Sequence, residues 1–202
     1  MARTVETVED RREQIIEAAL RVFAKKGFSG ASNKDIANEA GITPGLIYHY
    51  FESKEALLKA IFDEHSPRRI IRTLPPDVLE QPPEQFLRFA IRHMLTVAED
   101  KKFIQLLQVY LPEAIYHPEV GAMGLVNMAE GGRFMEGYLT AKMECGELSK
   151  MDAGLVTHLI AGSVMHLALR RGVLRDPVAR KYTQDQIVEM TVALALRGLL
   201  PR

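Results

Sequence analysis

Apolar residues recur every three or four positions along most of this chain, which is the spacing of one face of an α-helix. The stripes predict helices over residues 10–26, 32–40, 44–51, 53–65, 84–99, 101–111, 118–146, 152–171 and 184–200. Strict alternation of apolar and polar residues, the pattern of a half-buried β-strand, is not found in the sequence. The chain is therefore predicted to be all-α.

Residues 32–54 carry the start and stop signals of two short helices. Ser32 can cap the first helix, and Asp35 three residues later can complete a capping box. Gly41 follows the last apolar position, where a left-handed backbone ends a helix at little steric cost. Thr43 is a suitable N-cap for the second helix, and Pro44 suits its first position, which needs no N–H. The short connection predicts a helix-turn-helix, whose second helix enters the major groove of DNA.

The proline-rich stretch 66–83 predicts a linker with at most a short helical turn, because its five prolines prevent a regular helix from continuing. We assign residues 1–52 to a three-helix DNA-binding domain of helix-turn-helix type. Residues 53–202 are assigned to a larger helical domain for ligand binding and dimerisation. Within that domain, we expect the helix over 118–146 to bend at Gly131-Gly132.

The N-terminal pattern resembles the first domain of the tetracycline-repressor (TetR) family of bacterial regulators. The residues that carry the resemblance are Ala18-Ala19, Phe23, Gly27-Phe28, Asp35-Ile36-Ala37, Ala40-Gly41-Ile42-Thr43, Gly45, Tyr48-His49-Tyr50-Phe51 and Ser53-Lys54-Glu55. Two positions depart from the family pattern, because Ala31 stands where a phosphate-binding threonine is common and Asn33 replaces an apolar residue. The resemblance implies a homodimeric transcriptional regulator, most often a repressor, that binds a palindromic operator and is released by a small molecule.

The helix-turn-helix supplies the polar groups that a DNA interface needs. Phosphate contacts set the register of a protein on the duplex, and contacts to base edges read its sequence. The predicted DNA-binding residues are Ser32, Lys34, Thr43, Pro44, Gly45, Tyr48, His49, Tyr50 and Lys54. Taken alone, the two lysines would be ordinary surface residues and Tyr48 a packing residue. Arg3, Arg11 and Arg12 either form a basic arm or are balanced by neighbouring acidic residues.

The last two predicted helices are apolar on nearly all sides, so each must be buried on all sides. One small domain cannot easily cover both, which predicts a symmetric four-helix interface in a homodimer. Its residues are expected to be Leu155, Leu159, Gly162, His166, Ile187, Met190 and Leu194. The alternative is a core formed within one chain.

The segments 84–111 and 118–145 are rich in methionine and phenylalanine, which suit an adaptable apolar pocket as well as an ordinary core. The expected pocket residues are Phe89, His93, Phe103, Leu107, Tyr110, Met123 and Met128. The effector is predicted to be small and largely apolar.

Composition restricts the remaining possibilities. Lysine and arginine total 26 against 26 acidic residues, so any positive DNA-binding surface must come from placement and not from excess charge. The single cysteine, Cys145, and the charged first twenty residues favour a cytoplasmic protein. No uncharged apolar run of membrane-spanning length is found, so we expect no membrane partner.

Catalytic patterns are missing from the sequence. The six histidines have no zinc-ligand spacing, and no GxSxG, P-loop or dinucleotide-binding motif is present. We therefore expect no metal, no cofactor and no enzyme activity. Two alternatives remain, namely a helical ligand-binding or adaptor dimer that no longer binds DNA, and an enzyme that uses the C-terminal pocket.

Overall fold

The computed structural model describes residues 8–65 and 76–201, and every regular element in them is helical. The α-helices are α1 (Val8–Lys26), α2 (Asn33–Ala40), α3 (Pro44–Tyr50), α4 (Lys54–His65), α5 (Pro83–Ala98), α6 (Lys101–Tyr116), α7 (Pro118–Glu144), α8 (Ala153–Ala168) and α9 (Gln184–Leu199). Short 3₁₀ turns lie at Pro76–Glu80 and Ala179–Lys181. The prediction of an all-α fold with an N-terminal helix-turn-helix is confirmed.

The described residues form two compact units. The first holds residues 8–65 together with Gln105–Leu125, and the second holds residues 76–104 and 126–201. Helices α6 and α7 each contribute residues to both units. The domain boundary expected at residue 52 stays a prediction.

The helix ends of the first unit follow the local sequence signals. Ser32 Oγ accepts a hydrogen bond from the Asp35 N–H, and the Asp35 carboxylate accepts one from the Ser32 N–H, so the predicted capping box is formed. Gly41 ends α2 at φ 67°, in the left-handed region that glycine adopts without a Cβ penalty. Pro44 occupies the first turn of α3, as expected. These signals set the turn between α2 and α3.

The core of the first unit contains the apolar stripes of α1, α2 and α4. Its buried members include Ile15, Ile16, Ala19, Leu20, Phe23, Phe28, Ile36, Ala37, Ala40, Ile47, Phe51, Leu57, Leu58, Ile61 and Phe62. Phe28 follows the end of α1 and packs edge-on against Phe23, with ring centroids 5.2 Å apart. Helix α1 packs against both α2 and α4, so it is the central support of the helix-turn-helix.

Residues 105–125 add a second layer to this unit. Tyr110 on α6 packs edge-on against Phe62 of α4, with centroids 5.1 Å apart, and its hydroxyl donates to the Gly121 carbonyl on α7 at 2.9 Å. Gly124 leaves the space for this ring, because a Cβ there would lie 2.4 Å from Tyr110 Cζ. Tyr110 therefore joins three helices within the first unit.

The second unit is built around α5, which packs against both α8 and α9. Its core residues include Phe86, Leu87, Ile91, Leu95, Met135, Tyr138, Leu139, Ile160, Val164, Val188 and Val192. Tyr138 stacks on Phe86 at 3.5 Å, and its hydroxyl donates to the Gln81 carbonyl at 2.6 Å. Burial is the largest cause that raises the pKa of this phenol, to about 12. Tyr138 therefore stays neutral and anchors the start of α5.

Helices α6 and α7 bear on two of the sequence predictions. Helix α6 extends to Tyr116, beyond the expected end at residue 111, and includes Pro112. Helix α7 continues without interruption through Gly131-Gly132, from Pro118 to Glu144, and the bend expected at these residues stays a prediction. Glycine lowers helix propensity by about 1 kcal/mol, which is small enough for flanking residues to offset.

Helix α8 is followed directly by one π-helical turn, Leu169–Val173. The combined segment Ala153–Val173 is long and apolar enough, by length and composition alone, to cross a membrane, although its uncharged part ends at Leu169. One side of α8 faces the core through Thr157, Ile160, Val164 and Ala168. The other side is exposed and belongs to the surface described below.

Candidate nucleic-acid interface

Helix α3 is held in the first unit by two apolar residues and leaves its polar side open. Ile47 is 2% exposed and Phe51, just after the helix, is 5% exposed. Thr43, Pro44, Gly45, Tyr48 and His49 are all exposed. Within α3, Ile47 is the buried residue and Leu46 is half-buried, as is Ile42 in the preceding turn. The helix therefore presents a continuous face to solvent that the fold does not use.

The N-terminal turn of α3 can accept a close approach of DNA. Thr43 is the N-cap, but its side chain makes no capping hydrogen bond to any residue in the described part of the chain. Its hydroxyl remains available, and the positive end of the helix dipole lies at this turn. Pro44 has no N–H and the Leu46 N–H donates to the Thr43 carbonyl at 3.0 Å, so the backbone donor of the first turn is the Gly45 N–H. A Cβ at Gly45 would meet no described atom within 4 Å, so packing within the chain does not require glycine there.

Tyr48, His49 and Tyr50 form the rest of this exposed face. Tyr48 is 62% exposed, which excludes the packing role considered for it within the chain. The rings of His49 and Tyr50 meet edge-on, with centroids 5.3 Å apart, and Tyr50 is half-buried. Each side chain carries a hydrogen-bonding tip, so the three can contact phosphates or base edges.

Ser32 and Asp35 fix the start of α2. The Ser32 hydroxyl donates to the Asp35 carboxylate at 2.7 Å, and Lys26 Nζ donates to the same carboxylate at 2.7 Å. The Lys26 contact, followed by the hydrogen bonds from Ser32, lowers the pKa of Asp35 to about 2. Ser32 is therefore engaged as a helix cap, and its predicted contact with DNA stays a prediction.

The two predicted phosphate-binding lysines lie in different environments. Lys34 is exposed on α2. Lys54 is half-buried at the start of α4, and its ammonium donates to the carbonyl oxygens of Phe28 at 2.7 Å and Ala31 at 3.1 Å. Sequence reasoning missed these contacts, because no periodicity relates a lysine to carbonyls 23 and 26 residues earlier.

Several cations of α1 are paired within the unit. Arg21 donates to Glu39 at 2.7 Å, and Lys26 binds Asp35. In the possible basic arm, Arg12 lies over the Phe51 ring at 5.6 Å and Arg11 donates to Gln14, while Arg3 lies outside the described residues. These pairs reduce the positive charge that α1 can offer to DNA.

A separate exposed surface runs along α8 and α9 of the second unit. It contains Leu155, Leu159, Gly162 and His166 on α8, which recur at helical spacing, and Met190 and Leu194 on α9. The four large apolar residues are between 57% and 66% exposed. We call this set the α8–α9 face, and its cover by a second chain remains a prediction.

Ile187 is the exception among the predicted interface residues. It is 5% exposed and lies in the core of its own chain beside Val188. Periodicity assigns residues to a stripe of α9, but it cannot show which turns of that stripe the rest of the chain covers. The prediction for Ile187 is wrong, whereas Met190 and Leu194, about one and two turns further along nearly the same stripe of α9, are exposed.

The predicted pocket residues do not share one environment. Phe89 and His93 stack on α5 with centroids 6.0 Å apart, and Phe103 is buried in the same unit. Leu107 and Tyr110 belong to the first unit, where the Tyr110 hydroxyl is already bonded to Gly121. The side chains of Met123 and Met128 lie outside the described residues. The existence of the pocket stays a prediction.

His93 is the polar member of this set that lacks a described partner. Its Nε2 is buried and has no hydrogen-bond partner within residues 8–65 and 76–201. Burial lowers the pKa of this imidazole, which favours its neutral form. In the same described ranges, no group of three or more His, Cys, Asp or Glu side chains is placed to hold a metal ion.

Both units of this chain match known protein families. Residues 15–61 match the bacterial regulatory proteins of the tetR family. Residues 85–198, more than half of the chain, match the C-terminal domain of AefR-like transcriptional repressors. The two matches cover the helix-turn-helix and most of the second unit.

Relatives and solved structures agree with these matches. The chain is 31% identical over 115 residues to the HTH-type regulator UidR of Escherichia coli, which is 55% of this chain and 56% of UidR. It is 34% identical over 103 residues to the HTH-type regulator YerO of Bacillus subtilis, 50% of this chain and 36% of YerO. The chain thus aligns with about a third to about a half of these relatives' lengths. The regulator FadR of B. subtilis, solved in complex with stearoyl-CoA, gives a TM-score of 0.76 over 92% of this chain and 98% of FadR, at 25% identity.

Proposed function

Because this chain belongs to the TetR family of DNA-binding transcriptional regulators, we propose that it is a cytoplasmic repressor that binds a palindromic operator as a homodimer and is released by an apolar effector. The observation that carries the proposal is the exposed face of α3. Its polar residues are not used by the fold, whereas Ile47 and Phe51 hold the helix in place. A face kept polar and open beside a rigid core is what major-groove recognition needs.

Each part of this face has a role in the proposed complex. Lys34, Tyr50 and the N-terminal turn of α3 bind phosphates, with Ser32 close by at the start of α2. Thr43, Pro44 and Gly45 allow the backbone to approach the groove. Tyr48 and His49 reach base edges. The phosphate contacts set affinity and its salt dependence, and the contacts to base edges set sequence preference.

The α8–α9 face supports the homodimer. Four large apolar side chains on two adjacent elements are more than half exposed, and burying them against a second copy removes them from water. A two-fold dimer gives two copies of α3, which must lie about 34–36 Å apart to enter successive major grooves. An inverted repeat in the operator follows from that symmetry.

The effector class is proposed from chemistry and from one neighbour. Phe89 and Phe103 supply apolar surface, and the orphan Nε2 of His93 supplies one polar contact. FadR of B. subtilis holds stearoyl-CoA, a thioester with a long apolar chain. We therefore propose an effector with an apolar body and one hydrogen-bonding group, and long-chain acyl thioesters are the first class to assay. The name of the AefR-like repressor family supports repression over activation.

The main alternative is a helical ligand-binding or adaptor dimer that no longer binds DNA. Loss of exposed polar residues from α3 would favour it, but Thr43, Tyr48 and His49 are present and exposed. An enzyme that uses the C-terminal pocket is the second alternative, and turnover of a bound effector would support it.

The proposal is tested by selecting bound sequences from random duplex DNA at a stated salt concentration. An enriched inverted repeat supports a dimeric operator binder, and its release by an acyl thioester supports the effector class. Tyr48→Ala should weaken binding to the selected site on the order of tenfold. Tyr182→Ala, which changes a tyrosine 51% exposed in the second unit, is the matched control. Absence of enrichment by an intact dimer, with and without acyl thioesters, would refute the proposal.

A further inference from the structure

Thr157 on α8 has a buried hydroxyl without a hydrogen-bond partner. The residue is 3% exposed, and its Oγ1 bonds to no residue in the described part of the chain. A threonine inside a helix commonly donates to the carbonyl three or four residues earlier. Thr191 on α9 does so, because its hydroxyl donates to the Ile187 carbonyl at 2.7 Å. The Thr157 hydroxyl instead keeps a desolvation cost that none of the described residues offsets.

A second polar atom without a described partner lies on α5, the helix that packs against α8. It is His93 Nε2, which is buried, and the imidazole that carries it stacks on the ring of Phe89. Native proteins keep few buried polar atoms unsatisfied, and each of them calls for an explanation. Two such atoms on two packed helices point to one bound molecule that satisfies both.

The contacts between α5 and α7 show how these two helices are aligned. The Tyr138 hydroxyl on α7 donates to the Gln81 carbonyl, just before α5. Earlier on α7, the Phe134 ring lies 5.9 Å from the Phe86 ring of α5, centroid to centroid. Later residues of α5 thus meet earlier residues of α7, so the two helices run antiparallel.

This alignment brings the two unpartnered atoms to the same level of the second unit. The turn of α5 after Phe86, which contains Phe89, lies level with the turn of α7 that contains Gly132. A Cβ at Gly132 would lie 4.0 Å from Thr157 Cγ2, so Thr157 is at this level too. Helical side chains lean toward the N-terminus of their helix, and the imidazole of His93 accordingly stacks on Phe89, one turn earlier.

The charged residues of these three helices decide which polar group could bind there. Helix α8 has no lysine or arginine between Ala153 and Ala168. Arg88 and Arg92 of α5 are bound to acidic residues of α9. On α7, Lys142 is bound to a glutamate and Arg133 is exposed. None of these cations is buried and unpaired, so a carboxylate at this level would lose its hydration without gaining a counter-charge from α5, α7 or α8.

We propose that the Thr157 hydroxyl and the His93 imidazole form the polar end of the effector site, and that they select an effector whose polar group is uncharged, such as a thioester carbonyl or an alcohol, over a carboxylate. A carbonyl oxygen has two lone pairs and can accept from the Thr157 O–H and from His93 Nε2–H, whereas an alcohol donates to one group and accepts from the other. This inference rests on the proposed function for the existence of an effector. It adds the residues that select the effector and the charge that they exclude.

The first test asks whether the fold uses the Thr157 hydroxyl, and it needs neither effector nor DNA. Thr157→Val replaces the hydroxyl by a methyl group of similar shape, and Thr191→Val is the matched control, because its hydroxyl has a partner. Thr157→Val should raise the melting temperature by about 3 °C, since it removes a buried unsatisfied group. Thr191→Val should lower it by about 2 °C, since it removes a hydrogen bond.

The second test measures binding by titration calorimetry, without DNA and at about pH 8, where a carboxylic acid is ionised. The probes are dodecanol, dodecanoyl-CoA and dodecanoate, which share one apolar chain. Dodecanoate should bind the unaltered protein at least about tenfold more weakly than the two uncharged groups. Thr157→Val and His93→Phe, which keeps a ring beside Phe89, should each weaken dodecanol binding on the order of tenfold. Thr191→Val should leave it unchanged.

Four results would overturn the proposal. These are a melting temperature that falls in Thr157→Val as it does in Thr191→Val, dodecanol binding that neither Thr157→Val nor His93→Phe weakens, dodecanoate that binds as tightly as dodecanol, and an unaltered protein that binds none of the three probes. The proposed function can fail separately. If dodecanol binds through Thr157 but no operator is selected, or the operator is not released, the proposed function fails and this site stands. If an operator is selected and released while Thr157→Val binds the probes normally, this site fails and the proposed function stands.

Discussion

The α8–α9 face gives a direct prediction about assembly. Leu159 is 66% exposed in one chain, and full burial of a leucine side chain contributes about 1.5–3 kcal/mol. Covering the exposed two thirds therefore contributes about 1–2 kcal/mol per chain, or about 2–4 kcal/mol in a two-fold dimer. Leu159→Ala should raise the dimer dissociation constant by about 30-fold to about 1,000-fold.

The assay is sedimentation velocity over a concentration series, with circular dichroism to show that the helices persist. Leu79→Ala is the matched control, because Leu79 is 47% exposed on the 3₁₀ turn Pro76–Glu80, away from α8 and α9 in the sequence. It should leave the dissociation constant unchanged. A Leu159→Ala protein whose dissociation constant stays within about threefold of the unaltered one would refute the dimer proposal, since that is less than 1 kcal/mol.

Two further predictions concern stability. Gly124→Ala should lower the free energy of unfolding by about 1–3 kcal/mol in urea titrations, because its Cβ would lie 2.4 Å from Tyr110 Cζ. Gly137→Ala on the same helix, where a Cβ meets no described atom within 4 Å, should instead raise it by about 0.5–1 kcal/mol, and equal effects would contradict this packing. The pKa of Asp35 is lowered from 3.8 to about 2, so its contribution to stability is present above pH 3.8 and is lost as the pH falls through 2. The destabilisation by Asp35→Asn should therefore shrink between pH 4 and pH 2, and a difference that stays constant with pH would argue against the Lys26 and Ser32 contacts.

Local signals were sufficient for most of the first unit. The capping box at Ser32, the left-handed Gly41 and the proline at the start of α3 each depend on residues within a few positions of one another. The sequence therefore predicted the helix-turn-helix and its buried stripes. Helical spacing alone does not decide between Leu46 and Ile47 as the inward residue of so short a helix, and packing shows that Ile47 is buried.

Long-range contacts could not be predicted from the sequence. The Ser29 hydroxyl donates to the Glu113 carboxylate across 84 positions, and no spacing rule relates a loop serine to a glutamate on a later helix. The same holds for Lys54 and the α1–α2 connection. Ile187 was misplaced for a different reason. It shares a stripe of α9 with the exposed Leu194, two turns later, and helical spacing cannot show which turns of a stripe are covered by the same chain.

On α3, the residues that pack against the core differ from those that face solvent, and this has an evolutionary consequence. Ile47 and Phe51 hold the helix, while Gly45, Tyr48 and His49 are exposed and add little to the core. Substitutions at these exposed positions therefore cost the fold little, so natural variation can retarget the regulator to a new operator without first destabilising it. The same separation makes the first unit a suitable scaffold for engineering altered DNA specificity.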